Sequence, residues 1–405
     1  MISYEEARNL VMQKATILGR KTVSLDEAPG KVAAVDIRSK IPVPPFRNSA
    51  VDGYAVRSED TKSESGIVRL RLLAEQPAGK FFKRKLVKGQ AVKVMTGAPV
   101  PAGADAVVPR EEAQGNEETI FLRREIKAGE NIREAGEDIK RDQVIITKGT
   151  LLKTPHAALL AACGFDRVTV FRRPEVVVLI TGNELCQPGG RLSPGKIYDS
   201  NSTALKWLSE SSGAKLVSLT RVKDNLNALV KALKKACQQA DIIVTSGGVS
   251  VGDYDLVKEA ARKVGAQQIF WKVAQKPARP LAFYFMKKGN KPIWIFALPG
   301  NPGAVMISFE EYVRPFIKRV SGRSECLPQE IEARLIQPVK KKKGRLNFLR
   351  VSLENKAGNW LATPCGPQES GIISSLTLTQ GLALIPAEAD FLREGTTVRV
   401  HIVEW

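Results

Sequence analysis

The chain has 405 residues, 43% of them hydrophobic and 26% charged, with 62 Lys and Arg against 42 acids and a net charge of +20. That length exceeds what one ordinary core fills and predicts several domains. No apolar run approaches the roughly 20 residues of a membrane span, so no membrane role is expected, and the charge favours anionic partners: nucleic acid, phosphorylated small molecules, oxyanions or acidic proteins. The five cysteines form no C-x-x-C pair and only His156 and His401 occur, which argues against a zinc centre or a disulfide framework.

At the N-terminus, Ser3 stands three residues before Glu6. This spacing predicts a capped helix rather than a secretory signal, and hence a cytoplasmic protein. The first zone ends near residue 45, where Pro42, Pro44 and Pro45 force an extended exit. A second zone, to about 140, is rich in Val, Gly and Pro, with alternating runs such as Gly66 to Leu73, and reads as strands.

From about 175 to 325 the texture changes. Apolar runs at Val176–Ile180, Ile242–Val244 and Ile293–Leu298 are each followed by a glycine-bearing turn. Stretches of helical spacing lie between or after them: Ser202–Ser212, Leu226–Gln239, Tyr254–Lys263 and Pro302–Val320. The pattern predicts a parallel sheet wrapped by crossover helices. Beyond about 328 the strands return, as at Arg345–Val351 and Thr396–Val403, and predict a small β-barrel or sandwich. The basic run Lys340–Lys343 with Arg345 lies among these strands. It lacks the aromatic interleaving of single-strand binders and reads as a solvated hairpin face, with no nucleic-acid partner.

In an open parallel sheet, ligands sit at the carboxyl ends of the strands. Here those ends carry Thr181–Glu184 (TGNE), Thr245–Asp255 (TSGGVSVGDYD) and Leu298–Gly303 (LPGNPG). Glycines allow a backbone to approach phosphate, and hydroxyls add hydrogen bonds. Any one such loop is compatible with an ordinary tight turn; three in successive units point to a phosphate-bearing ligand. Glu184 and Asp255 stand in these loops, with Asp224 on the turn after Leu216–Val222. Carboxylates beside phosphate oxygens call for a hard cation between them, and Mg²⁺ is the economical choice. Lys272, Lys276 and Arg279, on a stretch stiffened by two prolines, suit an oxyanion.

The ordered motifs Asn48–Val56 (NSAVDGYAV), Met95–Val108 (MTGAPVPAGADAVV), Ala135–Ile139 (AGEDI), Thr181–Leu185 (TGNEL), Gly195–Asn201 (GKIYDSN), Ser246–Gly252 (SGGVSVG) and Leu298–Pro302 (LPGNP) resemble the MoeA-type molybdopterin molybdenumtransferases, relatives of the gephyrin C-terminal domain. Gly371–Ser375 and Gly381–Pro386 resemble that family's C-terminal barrel. The resemblance implies a multidomain α/β plus β protein with a central doubly wound α/β domain, a β-rich inserted domain and a C-terminal β-barrel. The expected division is 1–45 with 141–174, then 46–140, 175–327 and 328–405.

The resemblance further implies insertion of molybdate into adenylylated molybdopterin with release of AMP, in a homodimer whose site draws on both subunits, with the preceding adenylyltransferase as a further partner. Carried over by motif, Asp52, Asp138, Glu184, Lys272 and Lys276 are the catalytic candidates. Thr96, Arg133, Ser246, Gly247, Gly248, Ser250, Arg279, Pro299 and Pro302 are the substrate-binding ones, and Glu184, Asp224 and Asp255 are the ligands for Mg²⁺. Two motifs depart from the family pattern. Asn183 replaces an aspartate, removing an anionic metal ligand, and Ala278–Arg279 replaces Gly-Lys, stiffening the turn while keeping its charge. Two other readings stay open at this level: a molybdopterin adenylyltransferase, whose single domain resembles 175–325, and a non-catalytic gephyrin-like scaffold.

Overall fold

The computed structural model describes residues 1–64, 66–248 and 256–405. Its first helix, Tyr4–Gln13, begins on the predicted capping box, with Ser3 Oγ accepting from the Glu6 amide at 3.1 Å and the Glu6 carboxylate accepting from the Ser3 amide at 2.9 Å. The buried face of this helix, Tyr4, Ala7 and Val11, packs into the same core as Leu205, Phe309 and Phe316 of the α/β unit. A separate core joins Val23, Ala33 and Ile37 to Ile146, Leu160 and Val168, residues that flank the inserted segment in sequence.

The inserted segment forms a six-stranded sheet in the order Ala106–Pro109, Gly53–Val56, Gln90–Val94, Val68–Gln76, Thr119–Leu122 and Ala113–Gly115. Apolar clusters cover it on two sides, one around Leu70, Val108 and Ile120, the other around Ala55, Val92 and Val107.

The α/β unit holds a second six-stranded sheet. Its order is Lys215–Val222, Glu175–Thr181, Ile242–Ser246, Lys291–Leu298, Ala282–Lys288 and Gln267–Trp271, the first four strands parallel and the last two joined antiparallel. Alternate residues of the central strands face opposite layers, because side chains alternate along a strand. Val176, Val178 and Ile180 meet helix Ser200–Ser211 and the helical run after Pro302, whereas Val177 and Leu179 meet helices Leu226–Gln239 and Leu256–Lys263. The sheet is therefore doubly wound. The predicted helix Pro302–Val320 is present as two α-helical pieces around a π-helical turn at Phe309–Val313, which carries the buried Glu310 and Glu311.

In the C-terminal region, strands Leu346–Lys356, Asn359–Pro364, Glu330–Leu335, Thr397–Ile402 and Gly381–Ile385 close into a five-stranded barrel, the last pairing back onto the first. Ala333, Val351, Ala362, Ala383 and Val400 fill it. Among the described residues, no helix is long and apolar enough to cross a membrane.

Candidate functional site

The three loops expected to carry chemistry meet because their strands are neighbours in register, Ile180 opposite Ser246 and Ser246 opposite Leu298. Ser246 Oγ donates to the Pro299 carbonyl at 3.0 Å and accepts from Asn201 Nδ2 at 3.1 Å. The same Asn201 amide donates to the Gly300 carbonyl at 2.6 Å. Asn201, the second residue of its helix, thus locks two loops together. It lies inside a recognised motif, but nothing in the sequence gave it that task.

Gly247 and Gly248 both take positive φ, +84° and +67°. A Cβ on Gly247 would lie 2.3 Å from the Thr181 carbonyl oxygen, and one on Gly248 2.9 Å from Thr181 Oγ1. The glycines are required here by contact between loops, a reason distinct from the phosphate approach expected of them. Thr181 Oγ1 and Asn201 Oδ1 are buried with no hydrogen-bond partner among the described residues. Buried polar atoms are rarely left so, and both lie at the junction of the loops. Asn301 precedes the helix that starts at Pro302, but its side chain donates to Ser370 Oγ at 2.8 Å instead of capping. Ser250 and Asp255 fall outside the described residues.

Glu184 is exposed on the turn after the first central strand, its carboxylate oxygens lying against Gly182. Asn183 and Asp224 bond reciprocally: the Asn183 amide N–H donates to Asp224 Oδ2 at 3.2 Å, and Asn183 Oδ1 accepts from the Asp224 N–H at 3.3 Å. The neutral amide at 183 therefore clips the Asp224 turn to the Glu184 turn. No group of three or more potential metal-ligating side chains occurs among the described residues. Two neighbouring turns bearing exposed carboxylates fit Mg²⁺, which commonly takes one or two protein carboxylates and fills its other positions from phosphate and water.

On the cationic side, the Lys272 ammonium sits 3.7 Å from the centroid of the Trp271 ring, which also carries Lys258 at 4.4 Å. Lys276 is exposed, and its strand Gln275–Lys276 pairs in parallel with Leu346–Asn347 of the barrel. Ala278 is buried at φ +68°. The buried Gln275 side chain donates to the Ala278 carbonyl at 3.3 Å and accepts from the Tyr312 hydroxyl. This unforeseen support fixes the backbone between Lys276 and the exposed Arg279. Arg350, also unanticipated, donates from a buried guanidinium to the carbonyls of Pro367, Glu369 and Ile372 at 2.8, 3.1 and 3.0 Å, docking that barrel loop close to Gly303. A cleft of about 630 Å³, lined by Tyr198, Trp207, Pro302, Met306, Ile373 and Trp405, opens beside Asn201.

Asp52, Thr96, Arg133 and Asp138 lie elsewhere. Asp52 Oδ1 accepts from the Thr96 amide at 2.7 Å and from its hydroxyl at 2.8 Å. The backbone bond first and the hydroxyl second hold the Asp52 carboxyl below the usual aspartate range. Arg133 is exposed on the two-residue strand that pairs with Asn48–Ser49, and Asp138 is exposed with its N–H bonded to the Val43 carbonyl at 3.1 Å. Among the described residues, no hydrogen bond or ion pair joins these four to residues 175–327.

Three family descriptions match successive parts of the chain: the MoeA N-terminal region (domain I and II) over residues 2–164, a probable molybdopterin-binding domain over 177–319, and the MoeA C-terminal region (domain IV) over 332–403. A molybdopterin molybdenumtransferase from Haemophilus influenzae is 35% identical, with 99% of this chain and 98% of that protein covered. One from Staphylococcus epidermidis is 33% identical over 100% and 96%. A crystal structure of a molybdopterin biosynthesis MoeA protein from Pyrococcus horikoshii superposes with a TM-score of 0.86 at 33% identity, all of both chains being covered. The chain belongs to the MoeA family of molybdopterin molybdenumtransferases, transferases of molybdenum cofactor biosynthesis.

Proposed function

We propose that the chain inserts molybdate into adenylylated molybdopterin with release of AMP, in a Mg²⁺-dependent reaction at the junction of the three loops. What supports this most is the meeting of Ser246, Gly247 and Pro299 around the unpartnered Thr181 and Asn201 atoms, next to the clipped turns of Glu184 and Asp224. Ser246, Gly247, Gly248 and Ser250 hold the adenylyl phosphate, and Pro299 and Pro302 shape the wall beside it. Lys272, Lys276 and Arg279 hold molybdate. Water, directly or after attack by a molybdate oxygen, adds across the anhydride and releases AMP from the pterin phosphate; as the two dithiolene sulfurs bond to molybdenum, their protons leave with one molybdate oxygen as water. Glu184, Asp224 and Asp255 would bind Mg²⁺, which when present neutralises phosphate charge. The protein acts by positioning and by charge compensation.

Asp52, Thr96, Arg133 and Asp138 complete this site from the partner subunit of a homodimer, which accounts for the absence of described polar contacts between them and residues 175–327. The division into 1–45 with 141–174, 46–140, 175–327 and 328–405 is supported by the distinct sheets of the inserted, α/β and C-terminal regions, while the N-terminal helix shares the core of the α/β unit. The preceding adenylyltransferase supplies the substrate. The test mixes Asp52→Ala with Lys276→Ala subunits and measures AMP release from adenylylated molybdopterin and molybdate. Verified heterodimers should recover part of the activity that each parent lacks, and no recovery would count against a shared site.

A further inference from the structure

The Lys340–Lys342 run does not simply face open solvent. With Arg345, Asn347 and Lys276 it lines a cavity of about 350 Å³. The juxtaposition follows from the backbone, because Lys276 is opposite Asn347 in the parallel pairing and the Leu346 amide donates to the Ala274 carbonyl at 3.0 Å. The cations on this wall have different tasks. The Lys341 ammonium donates to the Arg345 carbonyl at 3.0 Å and the Ala387 carbonyl at 3.3 Å, so it braces the loop that leads into the Leu346–Lys356 strand. Lys343, outside the cavity lining, is neutralised by Asp390 at 3.3 Å. Lys276, Lys340, Lys342 and Arg345 have no carboxylate within ion-pair distance among the described residues, and no acid lines the cavity.

Unpaired like charges around one concavity repel each other, and an anion between them removes that repulsion. We propose that this pocket is a collecting site for a tetrahedral oxyanion dianion, from which the ion passes to Lys276. The inference rests on the reading of Lys276 as an oxyanion ligand and extends it to Lys340, Lys342 and Arg345. Asn347 supplies a neutral amide donor on the same wall. No aromatic side chain lines the cavity to stack a nucleic-acid base.

The test measures equilibrium binding of molybdate, with tungstate and sulfate as further probes, to the full-length chain at low ionic strength. The variant Lys340→Ser, Lys342→Ser, Arg345→Ser keeps the bracing Lys341. It should bind each dianion about tenfold more weakly than wild type, the gap closing as salt is raised. Circular dichroism and the melting temperature establish that the variant is folded, and the charge-matched control Lys83→Ser, Arg84→Ser, Lys88→Ser, exposed loop positions of the β-rich unit, should retain wild-type binding. Equal affinity in the triple variant and wild type overturns the collecting site. A short oligonucleotide that binds more tightly than molybdate through the same three residues overturns the small-ion assignment. No dianion binding by wild type at low salt also overturns it. AMP release at high molybdate, measured separately, then shows whether the proposed transfer reaction stands without the pocket.

Discussion

Two exposed carboxylates, Asp52 and Glu184, belong to the candidate machinery and are held in opposite ways. Asp52 is fixed by two hydrogen bonds from one residue to a single oxygen, whereas the Glu184 carboxylate has no hydrogen-bond partner among the described residues. An acceptor engaged by neutral donors is pre-oriented and stays ionised to lower pH. One left unengaged is free to turn toward a cation that arrives with the substrate. The difference teaches that the β-rich unit offers a finished contact surface, while the α/β loops offer ligands completed only by what binds.

The largest expected effect tests the unengaged carboxylate. Glu184→Gln keeps size and removes charge, and should lower AMP release by about 2–4 kcal/mol, roughly 30- to 1,000-fold, with pterin binding less affected. Raised Mg²⁺ should restore part of the loss. Wild-type turnover at every Mg²⁺ concentration would remove Glu184 from the reaction.

Next comes the ground beneath that turn. Gly247→Ala brings a methyl to 2.3 Å from the Thr181 carbonyl at a φ of +84°, so the junction must open. A stability loss of about 2–3 kcal/mol is expected from overpacking and left-handed strain together, read by chemical denaturation. A neutral result would mean that the loops are not mutually braced.

Ala278 sharpens the comparison from the cationic side, where the backbone is fixed as firmly as Asp52. At φ +68°, relief of left-handed strain by Ala278→Gly is offset by lost methyl burial and added chain entropy, leaving stability within about 0.5 kcal/mol of wild type. Ala278→Val places a β-branched residue there and should cost about 2 kcal/mol. Equal stabilities for the two variants would contradict the backbone conformation.

The smallest effect concerns Asp52 itself. Its folded-state pKa lies below the unfolded value, so the ionised group favours the folded state above the ordinary aspartate range. That contribution is lost as pH falls through the lowered pKa. Thr96→Val removes the hydroxyl donor and keeps the backbone donor, so the Asp52 carboxyl should titrate at a higher pH than in wild type while remaining below the ordinary value. Carboxyl carbon NMR across an acid titration reads the change directly.

The parallel strands and their loops were legible because apolar runs ending in glycine have few other uses, and Ser3 with Glu6 announced its helix outright. Leu226–Gln239 spans the predicted residues, since its caps and periodicity are local. The bonds that position the site are not local. Gln275 meets Tyr312 37 residues away, and Lys276 meets Asn347 across 71. No periodicity encodes such pairings; they follow from how the Gln275–Lys276 strand is held between the π-helical turn and the first barrel strand. The basic run illustrates the limit well. Its exposure was readable from composition, but the cation it faces was not. Likewise Gly247 announced a special turn, without revealing that the Thr181 backbone is what a side chain would strike.

The stacking of Lys272 on Trp271 has an optical consequence. An oxyanion that recruits the Lys272 ammonium must draw it from the indole, forgoing about 0.5–2 kcal/mol of cation–π attraction. The electronic surroundings of that ring then change, while Trp294, fully buried in the α/β core, keeps its own. The arrival of the ion is thereby written into the fluorescence of Trp271, one of the chain's five tryptophans. Trp271→Phe would silence that signal without touching a charge, so the chain carries a native spectroscopic reporter for ranking tetrahedral anions.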